Sequence, residues 1–131
     1  MKFLVDTHIL LWSFIEPEKL SDNVRAILLH EDNEIYYSPI NLWEISIKYA
    51  LGKLRINKSS PEELFEEIDN SYFLCKHIAN IDIITTYKLP LLHNDPFDRF
   101  LIWESLRNDL VFISVDRTIE KYREIGLRLE Y

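Results

Sequence analysis

Lys2-Phe3-Leu4-Val5-Asp6-Thr7 near the start of the chain and Leu110-Val111-Phe112-Ile113-Ser114-Val115-Asp116 near its end decide the fold. Each is a short apolar run that stops at an aspartate. Such runs read as strands buried by helices on both faces, the habit of parallel sheets.

Between and around these runs, strand and helix signals alternate. His8 to Ile15 reads as a short helix ended by Pro17. Ser21 is the expected N-cap of a helix through His30, with Val24, Ile27 and Leu28 on one face. Glu34-Ile35-Tyr36-Tyr37 is a second strand, stopped by Ser38-Pro39. That pair also opens the next helix, serine as cap and proline at the first helical position, running to about Leu51 with Gly52 as a left-handed stop. Ser60-Pro61 repeats the signal, with Glu62 and Glu63 in the first turn, where carboxylates suit the helix dipole. Tyr72-Phe73-Leu74-Cys75 reads as a third strand, and Asn80 to Lys88 as a helix closed by Pro90. Asp95-Pro96 opens a helix through about Asn108. Thr118 to Ile125 is the last helix, stopped by Gly126, and Leu127-Arg128-Leu129 is an edge strand. The alternation predicts a three-layer α/β/α sandwich with a mainly parallel central sheet, and no linker or repeat divides residues 1–131 into more than one domain.

Composition narrows the function classes. The 131 residues are enough to bury roughly two-thirds of the unfolded chain's surface. With 47% hydrophobic residues and only two glycines, the chain is neither disordered nor low in complexity. Cys75 is the single cysteine, which excludes an intrachain disulfide framework and a cysteine-rich zinc site and fits a reducing compartment. No apolar run approaches the ~18 residues of a membrane span. Asp6, Thr7 and His8 interrupt the apolar start, so Met1 is read as the mature terminus of a cytoplasmic protein without a membrane partner. The net charge of −7 argues against indiscriminate nucleic-acid binding, which depends on neutralising phosphates. Any nucleic-acid role must then rest on a local basic patch, a metal ion, or both.

Asp6 and Asp116 stand at the carboxyl ends of two strands, where parallel α/β sheets form their sites. Aspartate is also a common turn and cap residue, so a structural reading stands beside the functional one. Glu44 is more informative. At about 100° per residue, Ile40, Trp43, Ile47, Ala50, Leu51 and Leu54 share one helix face, and Glu44 falls at its edge. A carboxylate there is costly unless paired, hydrogen-bonded or metal-bound. A salt bridge to Lys48, one turn on, is the alternative. In His93-Asn94-Asp95-Pro96-Phe97-Asp98-Arg99, Asp95 reads as a helix cap and Asp98 as the third helical residue, pointing inward beside Leu101, Ile102 and Ser105. Arg99, on another face, is a candidate for a structural or phosphate-facing ion pair. If Asp6, Glu44, Asp98 and Asp116 converge, they raise one another's pKa, and a divalent cation reverses that cost. Hard oxygen ligands suit Mg²⁺ or Mn²⁺, which can activate water towards a phosphodiester.

Three stretches then carry a family likeness: Leu4 to Trp12; Leu42-Trp43-Glu44-Ile45-Ser46-Ile47-Lys48 with Leu51-Gly52-Lys53-Leu54; and Leu89-Pro90 followed by His93 to Arg99. On these the sequence resembles the PIN-domain ribonucleases, and within them the VapC-type toxins of bacterial toxin–antitoxin pairs. The resemblance implies a Mg²⁺- or Mn²⁺-dependent endoribonuclease that leaves 5′-phosphate and 3′-hydroxyl ends. By that likeness Asp6 and Asp98 are the chief metal ligands, and Glu44 and Asp116 position the ion or the water. Asp95 is an additional acid and Thr7 a helper through its hydroxyl. A homodimer and a cognate antitoxin are also implied, the antitoxin's tail often placing a basic side chain in the acidic pocket. Trp103 and Glu104 depart from the pattern, where small residues are usual, and predict altered packing or surface chemistry rather than a lost site.

Lys48, Lys53, Arg55 and Lys58 make up a basic stretch without an acidic residue, which is the expected RNA contact; a solvated loop is the alternative. His8, His30, His77 and His93 lack metal-ligand spacing and read as structural, and Cys75 as buried and inert. Two other readings keep the same fold: a PIN-type nuclease in RNA maturation, and a catalytically silent interaction module. The complete set of acids argues against the second.

Overall fold

In the computed structural model, which describes residues 1–57 and 59–131, the chain opens with β1 (Lys2–Val5), α1 (Thr7–Ile15), α2 (Asp22–Leu29) and β2 (Glu34–Tyr37). α3 (Pro39–Ala50), α4 (Pro61–Asp69), β3 (Leu74–Cys75) and α5 (Asn80–Ile84) follow, then α6 (Pro96–Arg107), β4 (Val111–Ile113) and β5 (Leu129–Glu130). Tight 3-10 turns cover Pro17–Lys19, Thr85–Lys88 and Arg117–Ile125. The five strands lie in the order β3-β2-β1-β4-β5, and every pairing is parallel. The expected three-layer α/β/α architecture is therefore present.

Alternation along each strand divides the core in two. Phe3, Val5, Ile35, Tyr37, Val111 and Ile113 face α1, α2 and α4, meeting Ile9, Leu10, Val24, Leu28, Leu64 and Ile68. Leu4 and Phe112 point the other way, onto Leu101 and Ile102 of α6 and onto Ile119 and Tyr122. The central strands are covered on both faces, which is why their sequences are apolar without interruption.

Several helix starts form where the side chains predict. Ser21, Ser38 and Ser60 each accept a backbone N–H as N-caps of α2, α3 and α4. The α3 cap is reciprocal, because Asn41 Oδ1 accepts the Ser38 N–H at 2.7 Å. At α1 the cap is Asp6 rather than a residue inside the helix, so the helix begins at Thr7. Three boundaries are shorter than expected: β3 is only Leu74–Cys75, β4 only Val111–Ile113, and Asn80 to Lys88 divides into α5 and a 3-10 turn. The final helix is a 3-10 segment, closed by Gly126 at φ +103°, a conformation that glycine tolerates best. The edge strand lies at Leu129–Glu130, slightly later than Leu127–Leu129.

The helix face expected on α3 is corrected. Asn41, Glu44 and Ile45 are its buried residues, whereas Trp43 is 59% and Leu51 62% exposed. The polar stripe of α3, not its most apolar one, turns towards the ends of the strands. Arg99 is corrected as well: its guanidinium donates to the carbonyls of Leu89, Pro90 and His93 and makes no ion pair among the described residues. Cys75 is half-buried rather than buried.

Trp103 and Glu104, the residues that depart from the family pattern, both pack partly or wholly inside. Trp103 Nε1 donates to Thr85 Oγ1, and Glu104 is fully buried with neither carboxylate oxygen hydrogen-bonded. Burial pushes the Glu104 pKa up to about 7; Asp82 adds to this, while the nearby Ser38 hydroxyl, outside hydrogen-bond geometry, and Lys76 offset part of it. A carboxyl whose folded pKa lies above its ordinary 4.5 binds its proton more tightly when folded. Its favourable contribution is complete below pH ~4.5 and is lost as pH rises to ~7, worth about 3 kcal/mol at most. Glu104→Gln should therefore be more stable than wild type at pH 8 and closer to it at pH 5, measured by urea unfolding at both values. A stability difference independent of pH would refute a buried, unpartnered carboxyl.

Candidate metal centre

The order of strands reverses around β1. The chain moves outward to β2 and β3, then returns through α6 to β4 on the other side of β1. A crevice opens beyond the carboxyl ends at such a switch point. Asp6 follows β1 directly, and Asp116 follows β4 after two residues.

Asp6 is buried and fully engaged. Oδ1 accepts the Ile9 N–H at 2.8 Å, and Oδ2 accepts the Ser114 hydroxyl at 2.6 Å and the Val115 N–H at 3.3 Å. Burial raises its pKa, against the pull of those hydrogen bonds. Ser114 Oγ also accepts the Asp116 N–H at 3.1 Å, so one buried hydroxyl ties the two strand-end aspartates together. The sequence reading did not single out Ser114; its signal was a lone polar residue inside the β4 apolar run.

Asp116 Oδ1 accepts both the N–H and the hydroxyl of Thr118, at 2.9 and 2.7 Å. Its Oδ2 lies 2.9 Å from His93 Nε2. Burial would raise its pKa, but the hydrogen bonds from Thr118 and His93 outweigh that and hold it below the ordinary carboxylate value.

Asp95 is the cap of α6, as its position before Pro96 predicts. Its Oδ1 accepts the N–H groups of Phe97 and Asp98 at 2.8 and 3.1 Å. Asp98 then sits in the first turn, 3.3 Å from His93 Nε2. Its pKa is pushed up to about 7, by burial first and then by the charges of Asp95, Asp6 and Glu44, against a smaller opposing effect of His93. Three other acids, Asp95, Asp6 and Glu44, thus act on Asp98.

Glu44 reaches this site from α3 with both oxygens occupied. Thr7 Oγ1 donates to Oε1 and Lys48 Nζ to Oε2, each at 2.5 Å. The Lys48 bridge that the sequence left open is therefore formed, in the favourable order four residues apart. Asn41 Nδ2 donates to Thr7 Oγ1 at 3.1 Å and to the Val5 carbonyl at 3.3 Å. With its acceptor site occupied by Asn41, the Thr7 hydroxyl directs its proton to Glu44.

His93, set aside as structural in the sequence reading, stands inside the pocket. Its Nδ1 accepts the Asp95 N–H at 3.1 Å, so Nε2 carries the proton and donates to Asp116 at 2.9 Å, with an Asp98 oxygen 3.3 Å away. One ligand atom from each of His93, Asp98 and Asp116 lies within 4.8 Å of the others. In this tautomer the imidazole donates to Asp116, and the ligand chemistry left is that of hard oxygens. Those donors fit Mg²⁺ or Mn²⁺. Burial is the first cause of the elevated Asp98 pKa, and a divalent cation would relieve the part that the neighbouring acids add.

Of the expected RNA contacts, Lys48 is held by Glu44, while Lys53 and Arg55 are exposed. All three line one groove of about 310 Å³ that begins at Thr7 and His8. Lys58 lies outside the described residues.

No curated protein sequence matches the chain. Solved structures do, over nearly their whole length. A structure of VapBC2 from Rickettsia felis, bound to a DNA fragment from their promoter, superposes with a TM-score of 0.67 at 18% identity, covering 99% of this chain and 98% of that one. VapBC-1 from nontypeable Haemophilus influenzae gives 0.64 at 18% identity, covering 99% and 97%. FitAcB from Neisseria gonorrhoeae gives 0.58 at 16% identity, covering 100% and 97%. At these identities the likeness is one of fold. The sequence itself matches the family model of the PIN domain over residues 3–125. With acids gathered at the switch point of a five-stranded parallel sheet and that match across nearly the whole chain, the protein belongs to the PIN domain family.

Proposed function

We propose that the protein is a Mg²⁺- or Mn²⁺-dependent endoribonuclease, the toxin of a toxin–antitoxin pair. The observation that carries this reading is Asp98: a carboxyl driven to about 7 by burial and by three neighbouring acids, at the strand-order switch of a PIN fold. A bound divalent cation would neutralise that charge and activate water towards an RNA phosphodiester. Asp98 and Asp116, with Asp6 and Glu44 beside them, are the residues that would hold it. Asp6 fixes the register of β1 against β4 through Ser114, and Thr7 orients Glu44. Asp95 holds Asp98 in the first turn of α6. The groove of Lys53 and Arg55, which also contains Thr7 and Lys48, the two partners of Glu44, supports an RNA phosphate path beside the acids.

Two surfaces support the proposed protein partners. α3 and α4 leave an apolar groove of about 400 Å³, lined by Leu42, Ile45, Pro61, Leu64, Phe65 and Ile68, which suits an antitoxin segment. The similar chains come from structures named VapBC2, VapBC-1 and FitAcB, which supports an antitoxin partner. Trp43, Ile83, Ile84, Tyr87 and Leu91 are all more than half exposed, apolar surface that suits a homodimer.

The deciding experiment incubates the purified protein, freed of any partner, with mixed RNA. Cleavage should need added Mg²⁺ or Mn²⁺, cease with a chelator, and fall at least about a hundredfold in Asp98→Asn and Asp6→Asn. Asp98→Asn is the cleaner variant, because Asp6 also accepts three hydrogen bonds in the core. Equal cutting by wild type and both variants would point to a contaminating nuclease and end this reading.

The groove makes a separate prediction. Replacing Lys53 and Arg55 together by glutamine should weaken RNA binding and lower the slope of log affinity against log salt by about one to two, following the loss of up to two phosphate contacts. An unchanged slope would remove these two residues from the RNA path.

A further inference from the structure

A pocket of like-charged carboxylates must be neutralised when it holds no ion, and Lys48 is well placed to do this. Its ammonium lies 2.5 Å from Glu44 Oε2, its side chain is 35% exposed, and that of Glu44 only 4%. Asp6 and Asp116 are stabilised by hydroxyl and N–H donors instead, and His93 supplies a neutral donor. Among the described residues, no salt bridge joins any other lysine or arginine to the acids of the pocket.

Lys48 therefore stands on the ligand oxygen of Glu44. A divalent cation held by the same carboxylates and the ammonium repel each other at close range. The chain also provides a second position for the amine. Lys48 forms part of the wall of the groove that contains Lys53 and Arg55, and its partial exposure leaves its flexible stem free to turn that way.

We infer that Lys48 is the resident counter-ion of the ion-free pocket. It leaves Glu44 when a divalent cation is held there and joins Lys53 and Arg55 in the groove. This rests on the metal site proposed above. Lys48 is thus a positioning residue that couples the two halves of the site: the amine that screens the acids before the metal enters becomes a third cation for substrate phosphate afterwards. A purely structural role would have the opposite consequence for metal affinity, since loss of the pair would loosen Glu44 and weaken binding.

Calorimetric titration of Mn²⁺ into the partner-free protein, without RNA, separates the two. Lys48→Gln should bind Mn²⁺ about tenfold more tightly than wild type, with the difference shrinking as salt increases. Lys48→Arg, which keeps the charge, should stay within about twofold of wild type. Binding to Lys48→Gln alone would also support the counter-ion role, as removal of a competitor too strong to displace. Equal or weaker binding by Lys48→Gln, with its circular dichroism spectrum unchanged, would overturn the role and leave the metal site standing. Absence of Mn²⁺ binding in all three proteins would overturn the metal site and this inference with it.

Discussion

Gathering several carboxylates at one end of a buried sheet is the constraint to which the rest of the structure answers. Each acid is stabilised differently. Asp6 takes two backbone N–H groups and the Ser114 hydroxyl; Asp116 takes Thr118 and His93; Glu44 takes Thr7 and Lys48. Asp95 spends one oxygen on two N–H groups at the start of α6. Among the described residues the Asp98 carboxylate has only the His93 ring nearby at 3.3 Å, and it is the acid of the pocket whose pKa rises to about 7. The pocket's unsatisfied charge is thereby concentrated on one side chain, facing the crevice at the strand-order switch.

The surrounding scaffold keeps these groups in place without the cation. The loop before α6 is fastened from within: Arg99 binds the carbonyls of Leu89, Pro90 and His93, and the Tyr122 hydroxyl joins the Leu92 N–H to the Pro90 carbonyl. That fastening sets the His93 ring between Asp98 and Asp116. On the opposite wall, Asn41 spans the end of β1 and the start of α3, so Asp6 and Glu44 are placed by one buried amide. Such reciprocal hydrogen bonds hold ligand geometry before a ligand arrives, which lowers the cost of binding.

Much of this was legible in the chain. Asp95 before Pro96, Ser38 before Pro39 and Gly126 after the final turn each do what their chemistry predicts. The two apolar runs that stop at aspartate pair side by side as β1 and β4. α3 misled because periodicity finds the most apolar face and assumes that face is buried. Here Trp43 and Leu51 are exposed while Asn41 and Glu44 go inside, since the helix packs over polar strand ends rather than against an apolar sheet face. Arg99 misled in a related way: an arginine among aspartates suggests an ion pair, but three carbonyls of a tight loop lay closer. Nothing local distinguishes His93 from the other three histidines; its role follows from where β4 brings Asp116.

Local chemistry, carried by neighbours within a few residues, determined the order of strands and helices along the chain, the caps and the strand–helix alternation of a parallel sheet. The partner of each acid was decided by tertiary structure. Whether Glu44 meets Lys48 or a cation, whether His93 lies between two carboxylates, and whether Glu104 ends without a partner depend on contacts between residues distant in the chain. Their energies are set by burial and by the summed field of neighbouring charges, and both exist only once the sheet has brought those segments together.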